Sequence, residues 1–315
     1  MPKLNGIESK TMYGYQIDKE NNDVIYSDGP HIYLSKEDGS RYISVTTLIG
    51  EYENKFNESF FSKYKALEAL ADPDHFSLVK QGLLNTQVWK PELLEKLNID
   101  ENEFNSKVDE ILDSWHNTRD EACEHGTWVH ELAETSFYDK TDFDLSRFGC
   151  PTLVGKYSCQ KGYYPKVLEP GIYPEYLVSW ISPEGLKISG QVDLLVRDGD
   201  DLYVFDYKTN KEIKKRSYYN SAKKRNVMMK YPLNHLMDCN WYHYQLQLSL
   251  YAYMIKQLNP EINIKELKLV HIDREGKQTI HECQYLEKEV KAMLKDYAKQ
   301  LKTKELLDLD KPYII

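Results

Sequence analysis

The sequence predicts an α/β (α+β) fold with a helical insertion placed before its main sheet. Three observations predict it. Residues 12–49 read as short strands broken by turn residues, and residues 51–121 carry apolar side chains at helical spacing. From 175 onward the order is three strands, a helix, two strands and a helix. Three regions follow: a β-rich segment at 1–50, a helical insertion at 51–121 and a core at 122–315.

The N-terminal strands are YGYQID, DVIYSDG and HIYLSKEDGSRYISVTTLI, with NND, SDGP and EDGS as turn sequences. In the second region FNESFFSKYKALEALA and NEFNSKVDEILDSWHNTRDEA alternate charges with apolar residues, and ADPDH and VWKPE divide it into several helices. That stretch is too long for a plain connection. It fits either a cover over a site or a docking surface for a partner. A separate helix is expected over 122–137, with Gly126 at its start and Thr127 as a cap, followed by a Gly-, Pro- and Tyr-rich loop at 138–171. The core strands are EYLVSWI (175–181), LKISGQVDLLVR (186–197) and LYVFDYKT (202–209). A lysine-rich stretch at 210–231 leads to a helix at 241–258, strands at 267–273 and 278–284, and a last helix at 285–305.

Hydrophobic residues make up 41% of the 315 residues, enough for a sizeable core, and no apolar run is long enough for a membrane span. The N-terminus has no apolar h-region. The five cysteines form no CxxC pair, which argues against a disulfide framework or a zinc knuckle. An intracellular, cytoplasmic protein is therefore expected. The net charge of −9 is unusual for a nucleic-acid binder, so any such role needs a local basic patch.

The hairpin 186–209 carries the main chemical signal. If Gly199–Asp200 forms its turn, opposed residues have numbers summing to 399, and Asp193 faces Asp206. Lys208, two residues on, points to the same face. Apolar neighbours on both sides (Leu194, Leu195, Val196, Val204, Phe205) imply a buried strand. Two buried carboxylates repel each other and are costly to desolvate, and a divalent cation such as Mg²⁺ relieves both costs. Asp206 and Lys208 alone also fit a structural salt bridge. On the helix at 122–137, His130 and Glu134 share a face at i, i+4. His130 is a candidate extra ligand with Glu134 near it, or a packed helix histidine.

In order, GTWVHELAE, GQVD, FDYKT and QLQLSLY resemble the RecB-like branch of the PD-(D/E)XK nucleases. ISVTTLI is similar to a segment of the mitochondrial genome maintenance exonuclease group and related phage proteins. The resemblance implies a restriction-endonuclease-like core with a mixed sheet flanked by helices, Mg²⁺ or Mn²⁺ as cofactor, and cleavage of DNA. It implies that His130, Asp193 and Asp206 bind metal, that Lys208 assists the attacking water, and that Gln247 and Tyr251 position DNA. Ser44 and Thr46 would contact phosphate. Some RecB-like nucleases hold an iron–sulfur cluster through a tight cysteine group after the core. Here Cys239 and Cys283 are far apart, and no iron–sulfur cluster is expected.

Residues 211–230 hold eight Lys or Arg and one acid. Lys214, Lys215, Arg216, Lys223, Lys224 and Arg225 are candidates to neutralise phosphates, and Tyr218 and Tyr219 to stack on unpaired bases. The alternative is a solvated lysine loop. The function expected is an exonuclease on single-stranded or frayed DNA ends in replication, recombination or repair, with replication or recombination proteins as possible partners. The alternatives are a structure-selective or sequence-specific endonuclease, or a non-catalytic DNA-binding scaffold. Abundant Lys, Asn, Ile and Tyr hint at an AT-rich genome such as a phage's.

Overall fold

The Gly199–Asp200 turn closes the predicted hairpin. Gly199 adopts a positive φ of 59°, and the ladder runs from Asp198↔Asp201 to Leu194↔Phe205 in the register that sums to 399. The computed structural model describes residues 10–138, 159, 161–220 and 224–309. The strands are β1 (Thr11–Met12), β2 (Tyr15–Gln16), β3 (Lys19–Glu20), β4 (Val24–Ser27), β5 (Ile32–Ser35), β6 (Arg41–Ser44), β7 (Gly171–Ile181), β8 (Lys187–Asp198), β9 (Asp201–Lys208), β10 (Tyr219–Asn220), β11 (Arg225–Asn226), β12 (Asn263–Ile272) and β13 (Gln278–Cys283). The helices are α1 (Val45–Gly50), α2 (Glu58–Leu70), α3 (Pro73–Thr86), α4 (Glu92–Lys96), α5 (Glu101–Thr135), α6 (Asn240–Leu258) and α7 (Glu287–Leu309).

Nine strands form one mixed sheet in the order β13-β12-β9-β8-β6-β5-β4-β3, with β7 also paired to β8. The expected mixed sheet flanked by helices is thus present. Strand β8 is its centre. β7 lines one edge of β8 from Arg197 to Lys187. The other edge is shared: β6 runs parallel at Ile188 and Ser189, and β9 runs antiparallel from Leu194 onward. Between Ser189 and Leu194 that edge has no strand partner among the described residues. On the face of the sheet in this stretch, the Tyr251 ring of α6 lies where a side chain on Gly190 would go: a Cβ there would stand 2.8 Å from the ring. Gly190→Ala is therefore expected to cost about 1–3 kcal/mol through overpacking, measured by urea unfolding. An unchanged midpoint would show that the ring yields freely.

Apolar residues on the two faces of the sheet explain why its central strands read as near-continuous hydrophobic runs. Leu195, Leu202, Val204 and Leu269 pack with Leu246, Leu250 and Met254 of α6 and with Val290 and Met293 of α7. On the other face Leu194, Val196, Phe205 and Val270 pack with Phe137. No described helix is long and apolar enough to cross a membrane.

The chain divides into two compact units. Residues 1–53, 129–218 and 226–315 form the first, and residues 54–128 and 219–225 the second. The second has its own core of Phe60, Tyr64, Leu67, Phe76, Leu83 and Phe104. Its helices start where side chains can cap them: Asn57 accepts from Phe60 N–H, and Asp72 precedes a first-turn Pro73.

Two expectations are corrected. VTTLI is not strand: Ser44, the last residue of β6, caps α1 by accepting from Thr47 N–H at 3.0 Å, and Val45, Leu48 and Ile49 are buried at helical spacing. The helix expected over 122–137 is the end of the 35-residue α5. Gly126 and Thr127 are interior to it, because the helical periodicity before them continues unbroken. The expected loop at 138–171 falls mostly outside the described residues.

Candidate metal centre

Three neighbouring strands bring acidic side chains to one place. The β7–β8 ladder keeps a register summing to 368 on both sides of Glu175, from Pro174↔Leu194 to Tyr176↔Val192. Glu175 therefore stands at the level of Asp193, and β9 brings Asp206 to that level from the other edge. At this row both ladders relax. Glu175 has a φ of 47°, a left-handed conformation that costs a non-glycine residue about 1–2 kcal/mol. Asp193 replaces a ladder bond with its own side chain, its Oδ2 accepting from Tyr207 N–H at 2.6 Å. Local strain and a carboxylate in place of a backbone bond are features of a site held for function.

From α5, His130 reaches the same row. Its Nδ1 lies 3.3 Å from Glu175 Oε1 and 3.6 Å from Asp193 Oδ1, and its ring meets that of Tyr207 edge-on at 6.0 Å. One ligand atom each from His130, Glu175 and Asp193 lie within 4.8 Å of one another. Asp206, expected among the ligands, lies outside this trio because other groups hold its carboxylate. Gln247 donates from Nε2 to Asp206 Oδ1 at 3.0 Å, and Lys208 Nζ sits 2.6 Å from Oδ2. Asp206 Oδ2 makes no well-formed hydrogen bond among the described residues, so that ion pair is its whole compensation. Asp206 is 1% exposed.

The donor set fits a small divalent cation. Carboxylate oxygens are the ligands that Mg²⁺ and Mn²⁺ prefer, and an imidazole suits Mn²⁺ as well. Without a cation the charges are in tension. Burial and the neighbouring Asp206 charge push the Asp193 carboxyl up to about 7. Burial opposes charge on His130, but Asp193 and Glu175 outweigh it and bring the imidazole up to about 9. Glu175 is also penalised by burial, yet His130 and Lys19 hold it below the usual carboxylate range. Lys208 stays protonated: burial opposes its charge, but Asp206 and Asp193 hold its pKa above the ordinary lysine value.

Sequence reasoning missed three residues. Glu175 is the lone charge in the GIYPEYLVSWI strand, and that isolation was the available signal. Lys19, from the N-terminal meander, pairs with Glu175 Oε2 at 3.3 Å and donates to Gln191 Oε1 at 2.6 Å. No local pattern reveals it, since its partners lie more than 150 residues away. Tyr244 places its ring 4.7 Å from Lys208 Nζ, one turn before Gln247 on the same face of α6.

The other expected site residues are placed variously. Gln247 is at the centre, and its Oε1 also accepts from Lys208 Nζ at 3.4 Å. Tyr251 is buried against Gly190, beside Gln247. Glu134 is one turn beyond His130 but accepts from Tyr138 Oη at 2.6 Å and is not among the clustered ligands. Ser44 Oγ is occupied in capping α1 and contacts Thr46 Oγ1 at 3.1 Å. Lys214, Lys215, Arg216 and Tyr218 are exposed in the first unit, and Tyr219, Lys224 and Arg225 are exposed in the second. Lys223 lies outside the described residues.

The pattern of acids and lysine on a mixed sheet defines a class. The model of the PD-(D/E)XK nuclease superfamily matches residues 84–310, and the chain belongs to that superfamily. No curated protein matches the sequence. Among solved structures the chain is similar to one described as "Crystal structure of SSO0001", at 16% identity and a TM-score of 0.24, over 41% of this chain. It spans about half the length of that chain, 50%.

Proposed function

We propose that the protein is a divalent-metal-dependent DNA nuclease, acting as an exonuclease on single-stranded or frayed ends in replication, recombination or repair. The observation that carries this reading is the row of Glu175, Asp193 and Asp206 across three strands, with Lys208 paired to the last of them. Membership of a nuclease superfamily supports it. The order His130, then Asp193, then Asp206-Tyr207-Lys208, then Gln247 resembles that of the RecB-like branch and supports placing the protein there.

Glu175, Asp193 and a neutral His130 would hold the cation, with the Asp206 carboxylate in the next strand beside them. When bound, such a cation polarises a phosphate oxygen and lowers the pKa of its water. Lys208 is kept protonated by Asp206, so it acts as a fixed positive charge beside the phosphate rather than as a base. Such a charge stabilises the negative charge that builds up as a phosphodiester is attacked. Gln247 bridges Asp206 and Lys208 and fixes both side chains. Lys19 steadies Glu175 from behind.

Digestion of end-labelled single strands, duplexes and a closed circle of the same sequence, with Mg²⁺ or Mn²⁺, tests the reading. Loss of the linear strands with the circle intact is the expected result. Cutting of the circle would replace the exonuclease with an endonuclease, and no cleavage of any substrate would remove the nuclease.

A further inference from the structure

The face of the sheet that bears Asp206 and Lys208 continues toward its edge. In the parallel β9–β12 register Leu269 stands level with Asp206 and His271 with Lys208. In the β12–β13 ladder His281 pairs with Leu269. His271 thus extends the row of Lys208 onto β12, and His281 extends the row of Asp206 and Leu269 onto β13, on the same face and with strands about 4.8 Å apart. Their rings are 6.4 Å apart, and His281 meets Trp241 of α6 edge-on at 5.9 Å. Lys215 Nζ caps the Trp241 ring at 4.5 Å.

These groups are held in place. Asn240, at the start of α6, accepts from Lys214 N–H at 2.7 Å and donates to Glu212 O at 3.1 Å, and Trp241 N–H donates to Lys214 O at 3.3 Å. The beginning of the basic stretch is therefore pinned to the helix that carries Gln247. At the inner end, His271 Nε2 donates to Asn210 O at 2.6 Å, and Tyr244 Oη donates to Asn210 Oδ1 at 2.6 Å. The outer end of the strip carries a cation beside its aromatic rings: no carboxylate pairs with Lys215 among the described residues, and burial, Lys215 and His271 hold the pKa of His281 below the ordinary value, which keeps that ring neutral.

We infer that the strip from Lys208 through Tyr244, His271 and His281 to Trp241 and Lys215 is a track for single-stranded DNA beyond the scissile phosphate. Cations beside an aromatic platform are what a strand with unpaired bases needs: phosphates meet the charges, and a base stacks on the indole. Lys215 covers the indole in the free protein, and its flexible stem allows the ammonium to move to a phosphate. A duplex, with its bases paired, gains only the charge contacts. This inference rests on the nuclease reading.

The test uses the full-length protein with two substrates, a thymidine dinucleotide and an oligothymidylate of about 12 nucleotides. The wild type is expected to show a lower KM for the longer strand. Lys215→Glu combined with His281→Ala should raise the ratio of long-strand to dinucleotide KM about tenfold. Trp241→Phe, which keeps an apolar ring in the core, should remove most of the tryptophan-fluorescence quenching caused by the oligonucleotide in the absence of divalent metal. The track is overturned if the wild type shows no length preference, if the variants keep it, or if the quenching persists in Trp241→Phe. Failure of the wild type to cleave either substrate sinks the nuclease reading instead, and the quenching experiment still judges the track.

Discussion

Asp206→Asn and Lys208→Ala are each expected to lower the rate of phosphodiester cleavage at least about 1,000-fold, the scale seen when a group that stabilises transition-state charge is removed. The two variants differ in stability. Lys208→Ala leaves the buried Asp206 carboxylate without its ion pair, a loss of about 3–5 kcal/mol for a buried pair broken from one side. Asp206→Asn leaves a lysine whose side chain still has 17% exposure and an amide that still accepts from Gln247, so its cost is smaller. Combining the two removes both charges and should restore much of the stability lost by Lys208→Ala while leaving cleavage absent. Rates from a labelled strand and midpoints from urea unfolding check both halves. Cleavage within tenfold of wild type in either single variant would take the chemistry away from this pair.

The second large effect is stabilisation by the cation. At a concentration 100 times its dissociation constant, a ligand bound only by the folded state contributes about 2.7 kcal/mol. For a domain of this size that is roughly 5–10 °C in Tm. The shift should grow with pH. Asp193 rises from 3.8 to about 7 in the metal-free fold, so the stability tied to its proton is complete below about pH 4 and lost as pH rises through about 7. His130 rises from 6.5 to about 9, and its share is complete below about pH 6.5 and lost through about 9. The metal-free protein therefore weakens over the range in which proton competition for the cation fades. Mn²⁺ or Mg²⁺ should raise Tm more at pH 9 than at pH 6. Asp193→Asn, which keeps an acceptor for Tyr207 N–H, should fold and lose the shift. A shift independent of pH, or one retained in Asp193→Asn, would place the cation elsewhere.

Much of this was legible in the chain because the hairpin is local. A glycine turn and two apolar runs fix the β8–β9 register, and parity then sets Asp206 and Lys208 on one face. The helix bearing Gln247 was equally plain from its length and spacing. What escaped was non-local. Glu175 matters because β7 lies along the far edge of β8, and strand neighbours are not written in spacing. Lys19 reaches the site only after the N-terminal meander docks beside β8. Ser44 misled because a β-branched run reads as strand until its first hydroxyl is seen to cap a helix. Gly126 misled for the opposite reason: glycine inside a long helix is tolerated when the residues around it pack.

The divided edge of β8 also bears on when, during synthesis, the charge centre can form. Its charge centre draws on Lys19, His130, Glu175, Asp193, Asp206 and Gln247, and one edge of its central strand needs both the earliest meander and the later hairpin. A growing polypeptide on the ribosome cannot assemble that centre until most of its length has emerged, and a proteolytic fragment lacking either part cannot assemble it at all. On the nuclease reading, cleavage would thus await completion of most of the fold.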